Sequence, residues 1–360
     1  MNKKTTVAVG LSGGVDSSVA AAILTKKGYN VIGLTMKIWD GSYKLEETGN
    51  DACFGPGEAQ DIELASEVCK KLGIEYKVFD LSKEYKQHVI EYFKDEYLQG
   101  RTPNPCVMCN HKMKFGFLIN KAKEAGVDFD YFATGHYAKI KKIKGEFFLS
   151  KSTNIKKDQT YFLSGLEKNQ LSNLMFPLGD LDKSQVREMA AELGFEVAER
   201  KDSQDFITGG DYSPLFKENE TTPGEIVNDK GEVLGQHKGI IFYTVGQRKG
   251  LGISALNPLY VSRIDAKNNR VIVSDNNALF SENMFVKEMN YFQNYSVGDS
   301  FKCKVKIRQK HEETPAEIKV LEKDRVEVKF EFAQRAVTPG QVAVFYDNDL
   351  VLASGLIEKK

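Results

Sequence analysis

The chain has 360 residues, 41% of them apolar and 28% charged, and this length suggests two or three domains of roughly 100–200 residues each. Its 50 Lys and Arg residues balance 50 Asp and Glu residues, which argues against disorder and requires any basic surface to be local. No apolar run reaches the roughly 18 residues of a membrane span. The start carries no signal-peptide pattern, and five Cys are too few for a disulfide framework, so we expect a cytoplasmic protein with no membrane association.

Strand-like and helix-like segments alternate through the first part of the chain. The predicted strands are residues 7–11, 30–37, 76–81 and 129–135. The predicted helices are residues 17–27, 59–72, 83–98 and 111–125. Strands separated by helices indicate βαβ units and a doubly wound parallel α/β sheet, whose active site lies at the carboxyl ends of the strands.

The pattern changes after about residue 200. A stretch rich in Gly, Asp and Ser is followed by short segments with Gly-containing turns. From about residue 284, segments such as FKCKVKIRQK, VEVKFEF and QVAVFYD alternate with period two, which predicts a small β-barrel or sandwich. We therefore divide the chain into residues 1–205, a central domain of residues 206–282, and residues 283–360.

A loop rich in Gly and Ser joins the first predicted strand to the first predicted helix. Two adjacent glycines, Gly13 and Gly14, let the backbone approach a phosphate closely, and the helix N-terminus adds partial positive charge. The serines of the loop supply hydroxyl groups, and Asp16 either caps the helix or helps to hold Mg²⁺. The string SGGVDSS lacks the ending of a Walker A loop. It resembles the PP-loop of ATP pyrophosphatases, which cleave ATP between the α and β phosphates.

A second segment, RTPNPCVMCNHKMKF, carries two cysteines. The predicted helix begins at His111, so Cys109 lies near a helix N-terminus, where we expect the dipole and Lys112 to lower the thiol pKa. A thiolate beside an adenylated carbon can attack that carbon or carry a sulfur atom. A CxxC pair is also compatible with a redox pair or with half of a metal site.

Cys53 lies in a loop that we expect at the same edge of the sheet. The thiols of Cys53, Cys106 and Cys109 can hold three irons of a [4Fe–4S] cluster and leave the fourth iron open. A zinc site would need a fourth ligand, such as His111. The alternative is that Cys53 is an ordinary loop thiol.

Two basic stretches predict local surfaces for nucleic acid. Residues 138–157 carry seven Lys and one Glu. Alternation on a predicted strand places a further set of basic residues on one face: Lys302, Lys304, Lys306, Arg308 and Lys310. Such surfaces contact phosphates, although a single Lys run is more often an ordinary solvated face.

Together these motifs resemble the bacterial tRNA-specific 2-thiouridylases of the MnmA type. Matching strings run nearly end to end and include GLSGGVDSSVAA, GRTPNPCVMCNHKMKFG, FATGHYAKI, KKDQTYFLSGL, FPLGDLDKSQVREMA, GIIFYTVGQRKGLGI and AVTPGQVAVFYD. The resemblance implies a PP-loop domain (adenine nucleotide alpha hydrolase-like), a small central domain and a C-terminal β-barrel that contacts tRNA. It also implies an AMP-forming tRNA-uridine 2-sulfurtransferase that uses ATP and Mg²⁺ to adenylate C2–O of uridine-34, after which sulfur replaces that oxygen.

The resemblance assigns these roles to particular residues. It places ATP contacts on Gly10, Leu11, Ser12, Gly13, Gly14, Val15, Asp16, Ser17, Ser18, Val19, Met36 and Gly135. It places contacts to the target base on Asn104, Pro105 and Cys106, and contacts to tRNA on Lys157, Asp158, Gln159, Arg308 and Gln309. Cys109 is the implied nucleophile, and Cys106 and Asp16 complete the expected catalytic set.

Two departures from the family pattern concern the sulfur chemistry. Many members have Asp at the position of Cys106, and many have a second catalytic Cys after a KDS motif, where this chain reads KDSQDFI. In one hypothesis, Cys53, Cys106 and Cys109 hold a [4Fe–4S] cluster whose open iron binds hydrosulfide. In the other, Cys109 carries a persulfide from a carrier protein and Cys106 resolves it as a disulfide. We favour the cluster.

Two other functions fit parts of the sequence. Another PP-loop ligase, such as a tRNA lysidine synthetase, would use a nitrogen donor and would not need Cys109. A metal-stabilised tRNA-binding module without catalysis would bind tRNA but would not exchange pyrophosphate with ATP. The intact SGGVDSS loop argues against the second alternative.

Overall fold

The computed structural model of the protein describes residues 4–45, 52–200 and 205–358. The chain forms two compact units, each assembled from separate segments. The first unit consists of Met1–Val89, Cys106–Pro214 and Asp349–Val351. The second consists of Ile90–Pro105, Leu215–Asn348 and Leu352–Lys360.

Strands and helices are interspersed up to residue 207. The strands are β1 (Thr6–Gly10), β2 (Asn30–Lys37), β3 (Ala52–Phe54), β4 (Glu75–Asp80), β5 (Tyr131–Thr134), β6 (Ala138–Ile143), β7 (Glu146–Lys151), β8 (Leu174–Met175) and β9 (Asp205–Ile207). The α-helices between them are α1 (Val15–Lys26), α2 (Glu58–Leu72), α3 (Ser82–Tyr85), α4 (Glu91–Leu98), α5 (Pro105–Met108), α6 (Leu118–Glu124), α7 (Thr160–Leu163) and α8 (Lys183–Glu192).

A parallel sheet forms the core of the first unit. Its strand order is β4-β2-β1-β5-β8, and each neighbouring pair is parallel. Val7 and Val9 on the central strand β1 are fully buried, because helices cover both faces of a sheet of this kind. This confirms the predicted α/β fold. It also brings the carboxyl ends of β1, β2 and β5 to one edge.

Two π-helical segments interrupt the helices. Lys86–Ile90 joins α3 to α4, and Cys109–Phe117 joins α5 to α6. The second helical run begins at Pro105, whereas we predicted a start at His111. Proline is compatible with the first turn of a helix, where its missing N–H has no partner to lose.

The second unit contains two β structures. The first is a four-stranded sheet in the order β11-β10-β13-β12, formed by β10 (Gly224–Asn228), β11 (Val233–His237), β12 (Tyr260–Asp265) and β13 (Arg270–Ser274). The second contains β14 (Phe280–Tyr291), β15 (Ser300–Lys306), β16 (Thr314–Glu322), β17 (Arg325–Arg335), β18 (Val342–Asp347) and β19 (Leu350–Ile357). Pairing of β14 with both β17 and β19 closes the order β14-β17-β16-β15-β18-β19 into a barrel.

The barrel interior is filled with apolar side chains, as the period-two pattern predicted. Val286, Val305, Ile318, Val328 and Phe345 are fully buried in one cluster. This confirms the predicted C-terminal β-barrel. Short 3₁₀ helices complete the secondary structure: Lys168–Asn173, Glu196–Glu199, Ser213–Leu215, Glu218–Glu220, Ile240–Phe242 and Asn277–Leu279. Within the described ranges, no helix is both long and apolar enough to cross a membrane.

Candidate active site

The Gly-rich loop lies between β1 and α1, at the carboxyl edge of the sheet. Gly13 has a φ of +70°, and a Cβ atom built there would lie 2.4 Å from the backbone oxygen of Asp61. Only glycine satisfies both constraints without strain. Gly14 occupies the N-cap position of α1 and makes no side-chain cap. The loop therefore packs closely on α2 and directs its backbone to the N-terminus of α1.

Two of the serines stiffen the loop. Ser17 accepts a hydrogen bond from the Ser12 backbone N–H at 3.2 Å and donates to the Gly14 carbonyl at 3.1 Å. Ser18 donates to the same carbonyl at 2.9 Å. The side chain of Ser12 is exposed. Ser17 and Ser18 thus hold the backbone in position, and Ser12 presents the accessible hydroxyl.

Asp16 lies in the first turn of α1 and is held by two other elements. Tyr137 donates its hydroxyl to Asp16 Oδ1 at 2.9 Å. Lys183 Nζ, from the first residue of α8, lies 2.8 Å from both carboxylate oxygens. The capping alternative for Asp16 is therefore wrong, because its oxygens accept from these side chains. Sequence reasoning did not single out Lys183, which lies 167 positions from Asp16.

A second cation, Arg200, also fixes the loop. Arg200 donates to the Gly13 carbonyl at 3.3 Å and pairs with Asp61 at 2.6 Å. Arg187 in turn donates to the backbone carbonyls of Ala198 and Arg200, at 2.7 and 2.9 Å. This chain of contacts orients the peptide at Gly13, and sequence reasoning missed it because no local motif marks it.

The other residues expected to bind ATP fall into two groups. Gly135 follows β5, and a Cβ there would lie 2.5 Å from the Ser17 backbone nitrogen, so this turn packs directly on the loop. Met36 is half-buried near the carboxyl end of β2. Leu11, Val15 and Val19 have side chains buried in the protein core, so any contact of theirs with a nucleotide must use the backbone.

The three cysteines approach one another around a buried tyrosine. The hydroxyl of Tyr85 is buried, which is the main reason for its raised pKa, and the nearby thiols of Cys109, Cys53 and Cys106 raise that pKa further. Cys53 is exposed and lies on β3, which pairs in parallel with β9. It was expected in a loop. Cys106 is half-buried and Cys109 is buried.

The thiols of Cys106 and Cys109 are not activated in this structure. Burial raises the pKa of Cys106 to about 12 and that of Cys109 to about 11. Our prediction that the helix dipole and Lys112 lower the pKa of Cys109 is therefore wrong. Desolvation of the thiolate outweighs both effects. Lys112 is exposed, and the cation that opposes the rise in both thiol pKa values is Lys114.

The π-helix explains why Lys114 faces Cys109. In an α-helix, a residue five positions on is rotated by about 140° from the first, since each residue turns by about 100°. A π-helix instead bonds residue i to residue i+5 and brings them to the same side. Because Cys109–Phe117 is π-helical, this geometry places Lys114 on the side of the helical run that carries Cys109, in keeping with its effect on the Cys109 pKa.

His136 connects the loop with the thiols. It directly follows Gly135, which packs on the start of α1, and its Nδ1 lies 2.8 Å from Thr134 Oγ1. Burial holds the pKa of His136 well below its usual range, and the charge of Lys114 lowers it further. The same ammonium group therefore acts on His136, Cys106 and Cys109. The charge of Lys114 therefore acts both on the turn that packs on the loop and on the two thiols.

The thiols are not arranged around a single metal ion. In residues 4–45, 52–200 and 205–358, no group of three or more His, Cys, Asp or Glu side chains could hold one. A zinc ion would need its sulfur ligands at about 2.3 Å. The zinc alternative with His111 therefore has no preformed geometry. A [4Fe–4S] cluster is held by Cys thiolates, and for these three cysteines it stays a prediction.

Several residues expected to contact tRNA make bonds inside the protein. Asp158 is buried and accepts from the Ser152 backbone N–H at 3.0 Å and from the Thr160 hydroxyl at 2.6 Å. Gln159 accepts from the Tyr137 backbone N–H at 2.8 Å. These bonds give both side chains structural roles, and their contact with tRNA stays a prediction. Lys157 is half-buried.

The predicted basic stripe on the barrel is shorter than expected. β15 ends at Lys306, so Arg308, Gln309 and Lys310 lie in the following turn. Arg308 donates to the backbone carbonyls of Arg335 and Ala336 at 2.8 and 2.9 Å. The prediction of five basic residues on one strand face is therefore wrong, although Lys302 and Lys304 are exposed on β15.

The basic stretch at residues 138–157 forms the hairpin of β6 and β7. Lys139 pairs with Asp180 at 3.1 Å, and Lys141 pairs with Asp349 at 3.5 Å. These carboxylates reduce the local positive charge below the value that the sequence alone suggests.

The fold and the loop define a class of protein. It is a HUP-type, PP-loop α/β unit followed by a PRC-barrel domain and a six-stranded β-barrel. The matching family models are the tRNA methyl transferase HUP domain over residues 5–208, the tRNA methyl transferase PRC-barrel domain over residues 215–275, and the aminomethyltransferase beta-barrel domain over residues 281–357.

Curated relatives cover the whole chain. It is 47% identical to the tRNA-specific 2-thiouridylase MnmA of Acetivibrio thermocellus, over 99% of this chain and 100% of that protein. It is 45% identical to tRNA-specific 2-thiouridylase MnmA 2 of Caldanaerobacter subterraneus subsp. tengcongensis, over 100% of both. It is 43% identical to the MnmA of Clostridioides difficile, over 100% of this chain and 99% of that protein. The chain belongs to the MnmA family of tRNA-specific 2-thiouridylases, as its motifs predicted.

Proposed function

We propose that the protein catalyses ATP-dependent 2-thiolation of uridine-34 in tRNA through an adenylated uridine. The observation that carries this proposal is that one lysine, Lys114, acts both on the turn packed against the phosphate loop and on two of the cysteines. Gly135 packs on the loop, and His136 shares the field of Lys114 with Cys106 and Cys109. An adenylated substrate formed on the loop would therefore lie beside the thiols.

The first step is adenylation. The O2 atom of uridine attacks the α-phosphorus of ATP, the bond to the bridging oxygen breaks, and pyrophosphate leaves. The backbone amides at Gly13 and Gly14 and the N-terminus of α1 stabilise the developing negative charge. Asp16 is the residue that would hold Mg²⁺, because its carboxylate oxygens are the hard ligands that this ion prefers, and bound Mg²⁺ would neutralise phosphate charge.

The second step is sulfur transfer at Cys109. Sulfur bonds to C2 of the uridine and AMP leaves with the oxygen, so the adenylate has converted a poor leaving group into a good one. Because burial keeps Cys109 protonated, its activation must follow tRNA or sulfur-donor binding. Lys114 is the cation placed to stabilise the resulting anionic sulfur.

The transferred sulfur has two alternative sources, a hydrosulfide on a cluster or a persulfide on Cys109. Cys53, Cys106 and Cys109 would hold a [4Fe–4S] cluster, which when bound would supply an iron that carries hydrosulfide. The neighbouring positions of these thiols around Tyr85 support this form. In the other form, the terminal sulfur of a Cys109 persulfide bonds to C2. The Cys106 thiolate then attacks the remaining Cys109 sulfur, a disulfide forms, and a dithiol reductant must restore both thiols.

Binding of tRNA is part of the proposal. Asn104, Pro105 and Cys106 are the proposed contacts to the target base, while Lys157 and the turn containing Gln309 are proposed contacts to the rest of the tRNA. Exposed Lys302 and Lys304 supply further phosphate contacts. We also propose that residues 1–205, 206–282 and 283–360 are the functional domains.

The test measures adenylation and thiolation separately. With tRNA, ATP and sulfide, the wild type should release AMP and form 2-thiouridine. Cys109→Ser should retain tRNA-dependent pyrophosphate exchange and lose 2-thiouridine, whereas the control Cys303→Ser should retain both. A ligase with a nitrogen donor would not respond to Cys109→Ser, and a binding module would show no exchange in any variant.

Iron and acid-labile sulfide on anaerobically purified protein distinguish the two forms of sulfur. The cluster predicts iron that disappears in Cys53→Ala and Cys106→Ala, with activity lost in parallel. Full thiolation by iron-free protein that is given a persulfide carrier in place of sulfide, with a disulfide between Cys106 and Cys109 after one turnover, would support the persulfide instead.

A further inference from the structure

Lys183 is the cation bonded most closely to the acidic group of the phosphate loop. Its Nζ atom lies 2.8 Å from both oxygens of Asp16, and its side chain is 13% exposed. The ion pair stands at the first turn of α1, where a phosphate would bind. A ligand phosphate there must therefore compete with Asp16 for the same ammonium group.

The surroundings allow this exchange without a change of fold. Helix α8 begins at Lys183 behind a capping box of Asp182 and Gln185, and it packs on α1 through a shared apolar cluster that includes Val19 and Val186. The backbone at Lys183 is therefore fixed, while its four-carbon side chain can turn.

Asp16 keeps a partner when Lys183 turns away. Tyr137 donates to its carboxylate at 2.9 Å. The backbone of Tyr137 is itself fixed, because its N–H and its carbonyl both bond to Gln159. The carboxylate would therefore stay in place and remain hydrogen-bonded.

We propose that Lys183 is a ligand of the leaving pyrophosphate of ATP, held on Asp16 until nucleotide binds. This rests on the proposed function, and it adds a residue that discriminates ATP from AMP. The charge of the leaving group grows as the bond to the α-phosphorus breaks, so a cation on the pyrophosphate stabilises the transition state more than the ground state. Arg200 has a different role, because its guanidinium donates to the Gly13 carbonyl, pairs with Asp61 and so orients the loop.

The test compares ATP and AMP binding to the full chain by calorimetry in EDTA, so that Mg²⁺ does not contribute. Lys183→Met should weaken ATP binding by about 10- to 100-fold, the loss expected for one charge-assisted hydrogen bond, and should leave AMP binding unchanged. Lys183→Arg should restore part of the ATP affinity. The control is Lys94→Met, because Lys94 is also a shielded lysine, ion-paired with Glu220 at 3.2 Å. The Lys94→Met protein should bind both nucleotides as the wild type does.

A second variant separates direct contact from loss of a buried ion pair. Lys183→Met combined with Asp16→Asn removes both charges and should still show the selective loss of ATP affinity. Asp16→Asn alone should bind ATP in EDTA as tightly as the wild type or more tightly, because Lys183 is released. Equal losses for ATP and AMP in Lys183→Met, or no loss, would overturn the inference while the proposed function stands. A wild type that binds no ATP either in EDTA or with Mg²⁺ would overturn both.

Discussion

The raised pKa of Cys109, which keeps its thiol protonated near neutral pH, can be tested through the pH dependence of its alkylation. With a pKa of about 11, the thiolate fraction at pH 8 is about 10⁻³, whereas an ordinary thiol with a pKa of about 8.5 is about one quarter ionised. Because only the thiolate reacts, the rate of Cys109 modification by iodoacetamide should rise about tenfold per pH unit from pH 7 to 10. Mass spectrometry of the Cys109 peptide gives this rate. The slope is the informative quantity, because limited access lowers the rate at every pH alike.

Paired lysine variants test the cause of the perturbation. Lys114→Met removes the ammonium group that opposes the raised pKa and should slow Cys109 alkylation at a given pH. Lys112→Met changes an exposed lysine and should leave the rate unchanged. A rate that levels off by pH 9, or a larger effect of Lys112→Met, would refute both the desolvation argument and the role given to the π-helix.

Three further predictions concern the loop and the barrel. Gly13→Ala combines a left-handed φ with a Cβ contact of 2.4 Å, so it should cost about 1–3 kcal/mol in urea unfolding and abolish pyrophosphate exchange. Gly126→Ala also has a positive φ but open space, and should leave exchange intact; equal exchange in the two variants would contradict the steric argument. Arg200→Gln should lower the rate of AMP formation and leave the melting temperature nearly unchanged. An unaltered rate would show that the bond from Arg200 to the Gly13 carbonyl does not orient the loop for catalysis. Arg308→Ala should destabilise the barrel by about 1–3 kcal/mol, since it removes a charged donor from the backbone carbonyls of Arg335 and Ala336. Exposed Lys304→Ala should instead weaken tRNA binding with little change in stability. If Arg308→Ala instead weakened tRNA binding and left stability unchanged, Arg308 would belong to the phosphate-binding surface.

Much of the fold was accessible from local patterns. Residues 30–37 were predicted as a strand with the bounds that β2 has, and the Gly-rich turn was placed correctly between β1 and α1. The helix that carries Cys106 was begun too late, because Pro105 was interpreted as preceding the helix rather than starting it. The π-helical geometry after it leaves no recognised sequence signal, so Lys112 was chosen as the cation in place of Lys114.

The parts of the site that were missed depend on tertiary structure. The partner of Asp16 is 167 positions away, and no sequence period connects the two residues. The direction of the thiol pKa shifts follows from burial, which outweighs the helix dipole and is set by packing of segments distant in sequence. The contact of Arg308 with the backbone has the same origin, since its two acceptors lie 27 and 28 positions away in the sequence. The domain boundaries at residues 205 and 282 stay predictions.

The most direct test of the account is a single-turnover reaction of the anaerobic protein with tRNA, ATP and sulfide, followed by nucleoside analysis. The account predicts 2-thiouridine at position 34 and one AMP released for each thiouridine formed, with neither product when ATP is omitted. Thiouridine formed without ATP, or AMP released in amounts unrelated to thiouridine, would contradict the proposal that adenylation at the loop prepares the carbon that sulfur attacks.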